Sequence, residues 1–191
     1  MPDLLTLAAL RALVSFSDPE FSPDGTRIAY VRSTAGYASD KRHAALVVVR
    51  VDGTGSRIVV EGEGIAAPRW SPDGTLVAFV RPDKNDKTQI DVVPAGGGKP
   101  RAITQTPDGV QHFAWSPDGR RFVFDTPDPD PNAAAIKRHD DLFEIGDDGM
   151  FIESVAVPSH LWLVAASGGP AHRLTHGSWS VYQECGAVLH P

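Results

Sequence analysis

Three copies of an aromatic-Ser-Pro-Asp-Gly turn constrain this chain more than any other feature. Phe21-Ser22-Pro23-Asp24-Gly25 recurs as Trp70-Ser71-Pro72-Asp73-Gly74 and as Trp115-Ser116-Pro117-Asp118-Gly119, at spacings of 49 and then 45 residues. Each residue has a mechanical use. Proline presets φ at the first central turn position, aspartate suits the second, and glycine supplies the positive φ that closes a hairpin. Serine can bond back to the turn backbone, and the aromatic residue is expected to end the preceding strand in the core. After each turn apolar residues alternate: Ile28 with Tyr30, Val77 with Phe79, Phe122 with Phe124. Period two is the mark of a half-buried strand.

A second segment recurs in the same order. Leu46-Val47-Val48-Val49, Ile90-Asp91-Val92-Val93 and Leu161-Trp162-Leu163-Val164 each lead over eleven residues to Val60, Thr104 and Thr175. In that register Gly53, Gly97 and Gly168 coincide, each at a hairpin tip. Two motifs at a period near 45 residues predict four-stranded propeller blades. The expected fold class is therefore all-β, a partial β-propeller of about three blades over 15–60, 61–104 and 105–175. A short amphipathic helix over 1–14 precedes them, with Leu4, Leu7, Ala8 and Leu10 near the helical period, interrupted by Arg11. A divergent tail, 176–191, follows. It lacks the next turn of the series, and closed propellers use about four to eight blades. Three blades leave two sheet faces uncovered, which predicts an incomplete ring and possible self-association through those faces.

The third blade is longer than the second. Trp70 to Thr104 is 34 residues and Trp115 to Thr175 is 60, so 26 extra residues fall within Pro127 to Ser159. That stretch holds eight of the chain's 24 acidic residues. Carboxylates such as Asp140, Asp141 or Glu144 would attract a peptide's amino terminus if the insertion faced a cavity. A solvated surface loop is the plainer reading and the preferred one.

Composition excludes several classes. A formal charge of −6 argues against nucleic acid or an anionic membrane as the main partner. Cys185, the one cysteine, rules out a disulfide framework and multi-cysteine metal sites; as a nucleophile it has no His/Asn context. No apolar run approaches the ~20 residues of a membrane helix. Leu4 to Leu10 is short and follows Asp3 rather than a basic segment, so it does not read as an export signal, and the cytoplasm is the expected location. His172 and His176 are four apart, but on a predicted outer strand and turn, where that spacing does not build a metal site. Asp128, Asp130 and Asn132 imitate the opening of a calcium loop. Ala133 stands where glycine is needed, and His139 stands where a bidentate glutamate belongs, so that reading is rejected. No cofactor is expected.

The opening Asp3-Leu4-Leu5, then Ser17-Asp18-Pro19 with Phe21 to Val31, resembles the start of bacterial prolyl oligopeptidase-family serine peptidases. The branch it is most similar to is the acylaminoacyl-peptidase or dipeptidyl-aminopeptidase type. His139-Asp140-Asp141-Leu142-Phe143, His160-Leu161-Trp162-Leu163-Val164 and Arg173-Leu174-Thr175 resemble that branch's third-blade region. The turns alone are shared with TolB-type propellers. The resemblance implies an amino-terminal propeller that gates access of short or unstructured peptides to a carboxyl-terminal α/β-hydrolase domain bearing a Ser-Asp-His triad. No Gly-x-Ser-x-Gly nucleophile elbow occurs here: Gly53-Thr54-Gly55-Ser56-Arg57 and Gly177-Ser178-Trp179-Ser180-Val181 both break the pattern. The chain alone is thus expected to be inactive, with peptides as partners only within a full-length enzyme. The alternative is a stand-alone TolB-like module that binds other proteins.

Overall fold

The computed structural model describes residues 13–36, 41–130, 144–145, 151–152 and 157–181. Within them are three antiparallel four-stranded sheets. The first contains β1 (Val14–Phe21), β2 (Arg27–Gly36), β3 (Lys41–Arg50) and β4 (Arg57–Glu63), in sequential order. The second repeats it with β5 (Ala66–Trp70), β6 (Leu76–Pro82), β7 (Thr88–Pro94) and β8 (Arg101–Ala102). In the third, β9 (His112–Trp115) and β10 (Arg121–Pro127) precede the insertion, and β13 (Ser159–Ala165) and β14 (His172–Arg173) follow it. A two-stranded ribbon, β11 (Glu144–Ile145) with β12 (Phe151–Ile152), lies inside the insertion. Pro127↔Ser159 is the last pair of the β10–β13 ladder, so the insertion leaves the blade at that pair.

The expected amino-terminal helix falls mostly outside the described residues, and its last residue, Val14, opens β1 instead. Cys185 and the expected tail beyond Val181 also lie outside them, as do Asn132, His139, Asp140 and Asp141.

The turns work as a hydrogen-bonded clamp. In the first, the Gly25 amide donates to Ser22 O at 2.8 Å, with Gly25 at φ +69°. Ser22 Oγ donates to Asp24 Oδ1 and accepts from the Arg27 amide at 2.9 Å, and Asp24 Oδ1 also accepts from the Thr26 amide. Ser71 with Asp73, and Ser116 with Asp118, repeat this pattern. The Ser22 hydroxyl, then the amide and hydroxyl of Thr26, pull the Asp24 carboxyl down to about 2, and Ser71 and Ser116 likewise hold Asp73 and Asp118 below their ordinary value.

A carboxyl lowered in the folded state contributes stability that is complete above its unfolded value, near pH 4, and lost as pH falls toward 2. The urea midpoint is therefore expected to fall across that window. A Ser22→Ala, Ser71→Ala, Ser116→Ala variant should show a shallower fall, and an unchanged slope would remove the turns as its source. Asp91 acts in the opposite sense, because burial raises its carboxyl.

Two apolar seams hold the blades together. The first joins Ala29, Val31, Leu46 and Val48 to Trp70, Val77, Phe79 and Val93. The second joins Ala78, Val80, Ile90 and Val92 to Phe122, Phe124 and Val164. The middle strands of the second blade are thus buried on both faces, which corrects the expectation of uniformly half-buried strands. The aromatic turn residues also differ. Trp70 is buried and Trp115 packs on Phe122, but Phe21, expected in the core, is 64% exposed. Among the described residues no sheet packs on its face of the first blade, and Val14, Phe16 and Ile58 are exposed with it.

Candidate functional site

Strands β2, β6 and β10 all run away from the Ser-Pro-Asp-Gly turns. Gly36 and Lys41, the 83–87 hairpin, and the Pro127–Ser159 pair from which the insertion departs therefore lie at the opposite end of the blades. At that end a cleft of about 1270 Å³ opens beside the 83–87 hairpin, lined by Gly64, Arg81, Asp86, Gln89, Asp91 and Thr104 among others. Its floor is polar. Gln89 Nε2 donates to Thr106 O at 2.8 Å, and Gln89 Oε1 accepts from Thr104 Oγ1 at 2.8 Å and from the Thr106 amide at 3.0 Å. Both ends of this buried amide are satisfied, so it fixes β7 against the segment after β8. Asp91, 2% exposed, pairs with the Arg81 guanidinium. Burial pushes its carboxyl up, and Arg81 opposes that shift.

A second polar cluster closes the base of the insertion. Asp128 Oδ2 lies 3.2 Å from His160 Nδ1 and 3.1 Å from Arg173 Nη2, and the Asp128 amide donates to Pro158 O at 2.8 Å. His160 is wholly buried, with Trp179 5.8 Å away between ring centroids. An imidazole with no exposure meets no substrate from solvent, and the hydrogen bond that ties Asp128 at the stem of the insertion to β14 is the one donated by Arg173 Nη2.

The sequence candidates are spread out. Asp128 serves the stem; His172, in β14, and His176, beyond it, are both exposed. Glu144 begins β11, opposite Ile152. Among the described residues no three His, Cys, Asp or Glu side chains converge as a metal site would require. Gln89 went unremarked in the motif reading, and Asp91 and His160 entered it only as members of longer segments, with no role given to either. Asp91 carried a usable signal, since it interrupts Ile90-Asp91-Val92-Val93 at the register position held by Val47 and Trp162.

The seams carry their own repeated chemistry. Trp70 Nε1 donates to Glu20 O at 3.0 Å, and Trp115 Nε1 donates to Arg69 O at 3.1 Å. Each acceptor is the residue just before the preceding blade's aromatic. Arg57 reaches Gly96 O, and Arg101 reaches Ala166 O at 2.9 Å, so outer strands also clasp the next hairpin. Arg27 lies over the Trp70 ring, 4.7 Å from its centroid, and donates to Gly74 O at 2.9 Å.

Successive four-stranded blades joined by such seams define a β-propeller. The chain belongs to the TolB beta propeller domain family, whose model matches residues 9–129. It is 38% identical over 111 residues to the uncharacterized peptidase YuxL of Bacillus subtilis (strain 168), a match covering 58% of this chain and 17% of YuxL. Among solved structures it is similar to AtxE2 isopeptidase, with a TM-score of 0.69, 16% identity, and coverage of 87% of this chain and 31% of that one. Pyrococcus horikoshii acylaminoacyl peptidase aligns with a TM-score of 0.62 and 19% identity, over 86% of this chain and 25% of that one. The chain thus spans a third or less of the length of each of these proteins.

Proposed function

We propose that this chain is the non-catalytic propeller portion of a prolyl oligopeptidase-family serine peptidase of the acylaminoacyl-peptidase type, acting in the cytoplasm. In that role it gates the passage of short or unstructured peptides to an α/β-hydrolase domain. The 38% identity to a peptidase, YuxL, carries the reading. The resemblance of the opening segment and of the third-blade insertion supports it. Catalysis belongs to the hydrolase part, because no nucleophile elbow occurs in this sequence.

The test is the coding DNA beyond the last codon, translated in three frames, together with an assay of the chain on aminoacyl and acyl-aminoacyl chromogenic substrates. Further blades followed by a Gly-x-Ser-x-Gly domain, with no turnover by the chain alone, are expected. Turnover by the purified chain, or unrelated downstream sequence, would sink the proposal. The second of those outcomes would favour a TolB-like module that binds other proteins, a reading the family match supports.

A further inference from the structure

We propose that Asp108 is the site at which this chain forms isoaspartate, because its turn is a copy of the blade turns whose clamp has been diverted. Thr106-Pro107-Asp108-Gly109 repeats the Ser-Pro-Asp-Gly tetrapeptide with threonine for serine. The turn itself forms, with the Gly109 amide directed at Thr106 O and Gly109 at φ +82°. What differs is the grip on the aspartate. In the Asp118 turn the carboxylate accepts from the Ser116 hydroxyl at 2.5 Å and from the Arg120 amide at 3.0 Å. In the Asp108 turn β7 takes both equivalent donors. The Thr106 hydroxyl donates to Gln89 Oε1 at 3.4 Å, and the Val110 amide donates to Thr88 O at 2.7 Å. The half-buried Asp108 carboxyl is left with no hydrogen bond or ion pair among the described residues.

The chemistry is an attack of the main chain on its own side chain, least hindered where glycine follows aspartate. The Gly109 nitrogen attacks Cγ of the protonated Asp108 carboxyl, the carboxyl hydroxyl leaves with the amide proton as water, and a five-membered succinimide closes. Water then opens the ring. Addition at the Asp108 main-chain carbonyl leaves Gly109 joined through Cγ, an isoaspartate that lengthens the main chain by one carbon. Two obstacles stand against this at the other described Asp-Gly pairs. The Gly25, Gly53, Gly74 and Gly119 amides donate at 2.8–2.9 Å, whereas the Gly109 amide reaches its acceptor only at 3.4 Å, a weak bond. Asp24, Asp52, Asp73 and Asp118 each accept from a hydroxyl and an amide. Those donors hold the four carboxyls below their ordinary value, and an ionised carboxylate is the poorer electrophile. A sixth pair, Asp148-Gly149, lies outside the described residues.

The position gives the change a consequence. Gly109 stands in the link from β8 to β9, between the second and third blades. Its carbonyl accepts from Thr126 Oγ1 at 2.6 Å, and a Cβ built on it would stand 3.1 Å from the Thr88 nitrogen. An extra main-chain carbon just before Gly109 cannot enter without shifting these contacts. Thr106 and Pro107, which line the cleft, would shift with them.

The test is incubation of the full chain at neutral pH, folded as confirmed by circular dichroism, and in parallel in urea. Peptide mapping by liquid chromatography and mass spectrometry resolves each isoaspartyl peptide. An isoaspartate-specific carboxyl methyltransferase with labelled S-adenosylmethionine counts them. In the folded chain isoaspartate is expected at Asp108 roughly tenfold faster than at each of the four clamped pairs, with the five rates converging in urea. Ser116→Ala removes one clamp donor and should speed the Asp118 pair roughly fivefold or more. Asp108→Glu, whose ring would have six members, should remove the leading signal. No isoaspartate at Asp108, clamped pairs as fast as Asp108 in the folded chain, a difference that persists in urea, or an Asp118 rate unmoved by Ser116→Ala each overturns the proposal. The peptidase reading does not depend on these contacts and stands either way.

Discussion

Trp70→Ala is expected to lower the unfolding free energy by about 3–5 kcal/mol, while Phe21→Ala should cost no more than about 0.5–1 kcal/mol. The two residues hold the same place in the same motif, so local turn chemistry predicts equal losses. What separates them is the neighbour. Trp70 is 5% exposed at the first seam, and Phe21 is 64% exposed on a face where no sheet adjoins among the described residues. Truncating Trp70 opens a void against Ala29, Val31 and Val77. It also strips the donor from Glu20 O and removes the ring under Arg27. Truncating Phe21 removes area already in water. Urea denaturation followed by far-ultraviolet circular dichroism measures both, since fluorescence would itself change with Trp70. Equal midpoint shifts would mean that the first seam is not packed as described.

That contrast shows which part of the fold a sequence can carry. The turn is local: Ser, Asp and Gly within five residues make their own clamp, and the chain states it three times. Strand pairing follows from the same spacing, because a hairpin fixes the register of Ile28 against Phe21 and Val49 as it does Val77 against Trp70 and Val93. Burial is not local. Ile28 and Val77 are equivalent by register, yet Ile28 is half-buried and Val77 wholly so, because one blade precedes Val77 and none precedes Ile28 among the described residues.

The seam contacts were hidden for another reason. Their acceptors are the backbone carbonyls of Glu20, Arg69, Gly74 and Ala166, and a carbonyl is present at every residue whatever its side chain. The donors Arg27, Arg57, Arg101, Trp70 and Trp115 stand in the open in the sequence but point at nothing recognisable until two blades are set side by side. The candidate cleft divides in the same way. Asp91 interrupts an apolar run and could have been singled out, whereas its pairing with Arg81 crosses from β7 to β6 and depends on their register. Asp125 ends the apolar alternation after Phe122 and Phe124, and its partner, His112, lies across the β9–β10 ladder.

Gly64→Ala is the other substitution expected to act strongly, by about 3 kcal/mol. Gly64 lies between β4 and β5, in the one covalent link between the first two blades, next to Ile65, which is 4% exposed in the seam. Its φ is +61°, a left-handed conformation that costs an alanine roughly 1–2 kcal/mol. A Cβ there would also stand 2.6 Å from Pro82 Cδ and 3.0 Å from Pro82 Cγ. The Pro82 ring cannot swing aside, because its Cδ is bonded to the backbone nitrogen at the end of β6. Either the link or the β6 terminus must move, and overpacking of this kind adds about 1–3 kcal/mol.

Gly53→Ala separates the two contributions. Gly53 also has a positive φ, +82°, but nothing lies within 4 Å of a Cβ built on it, so its variant should lose only the conformational part. Urea midpoints for the pair give the comparison directly. Gly64→Ala should fall clearly below Gly53→Ala, and a cold spot for the difference would be equal losses at both sites, which would place Pro82 out of reach of Gly64. The blades would then meet at a different angle, and the cleft that Gly64 and Pro82 help to line would change shape with it.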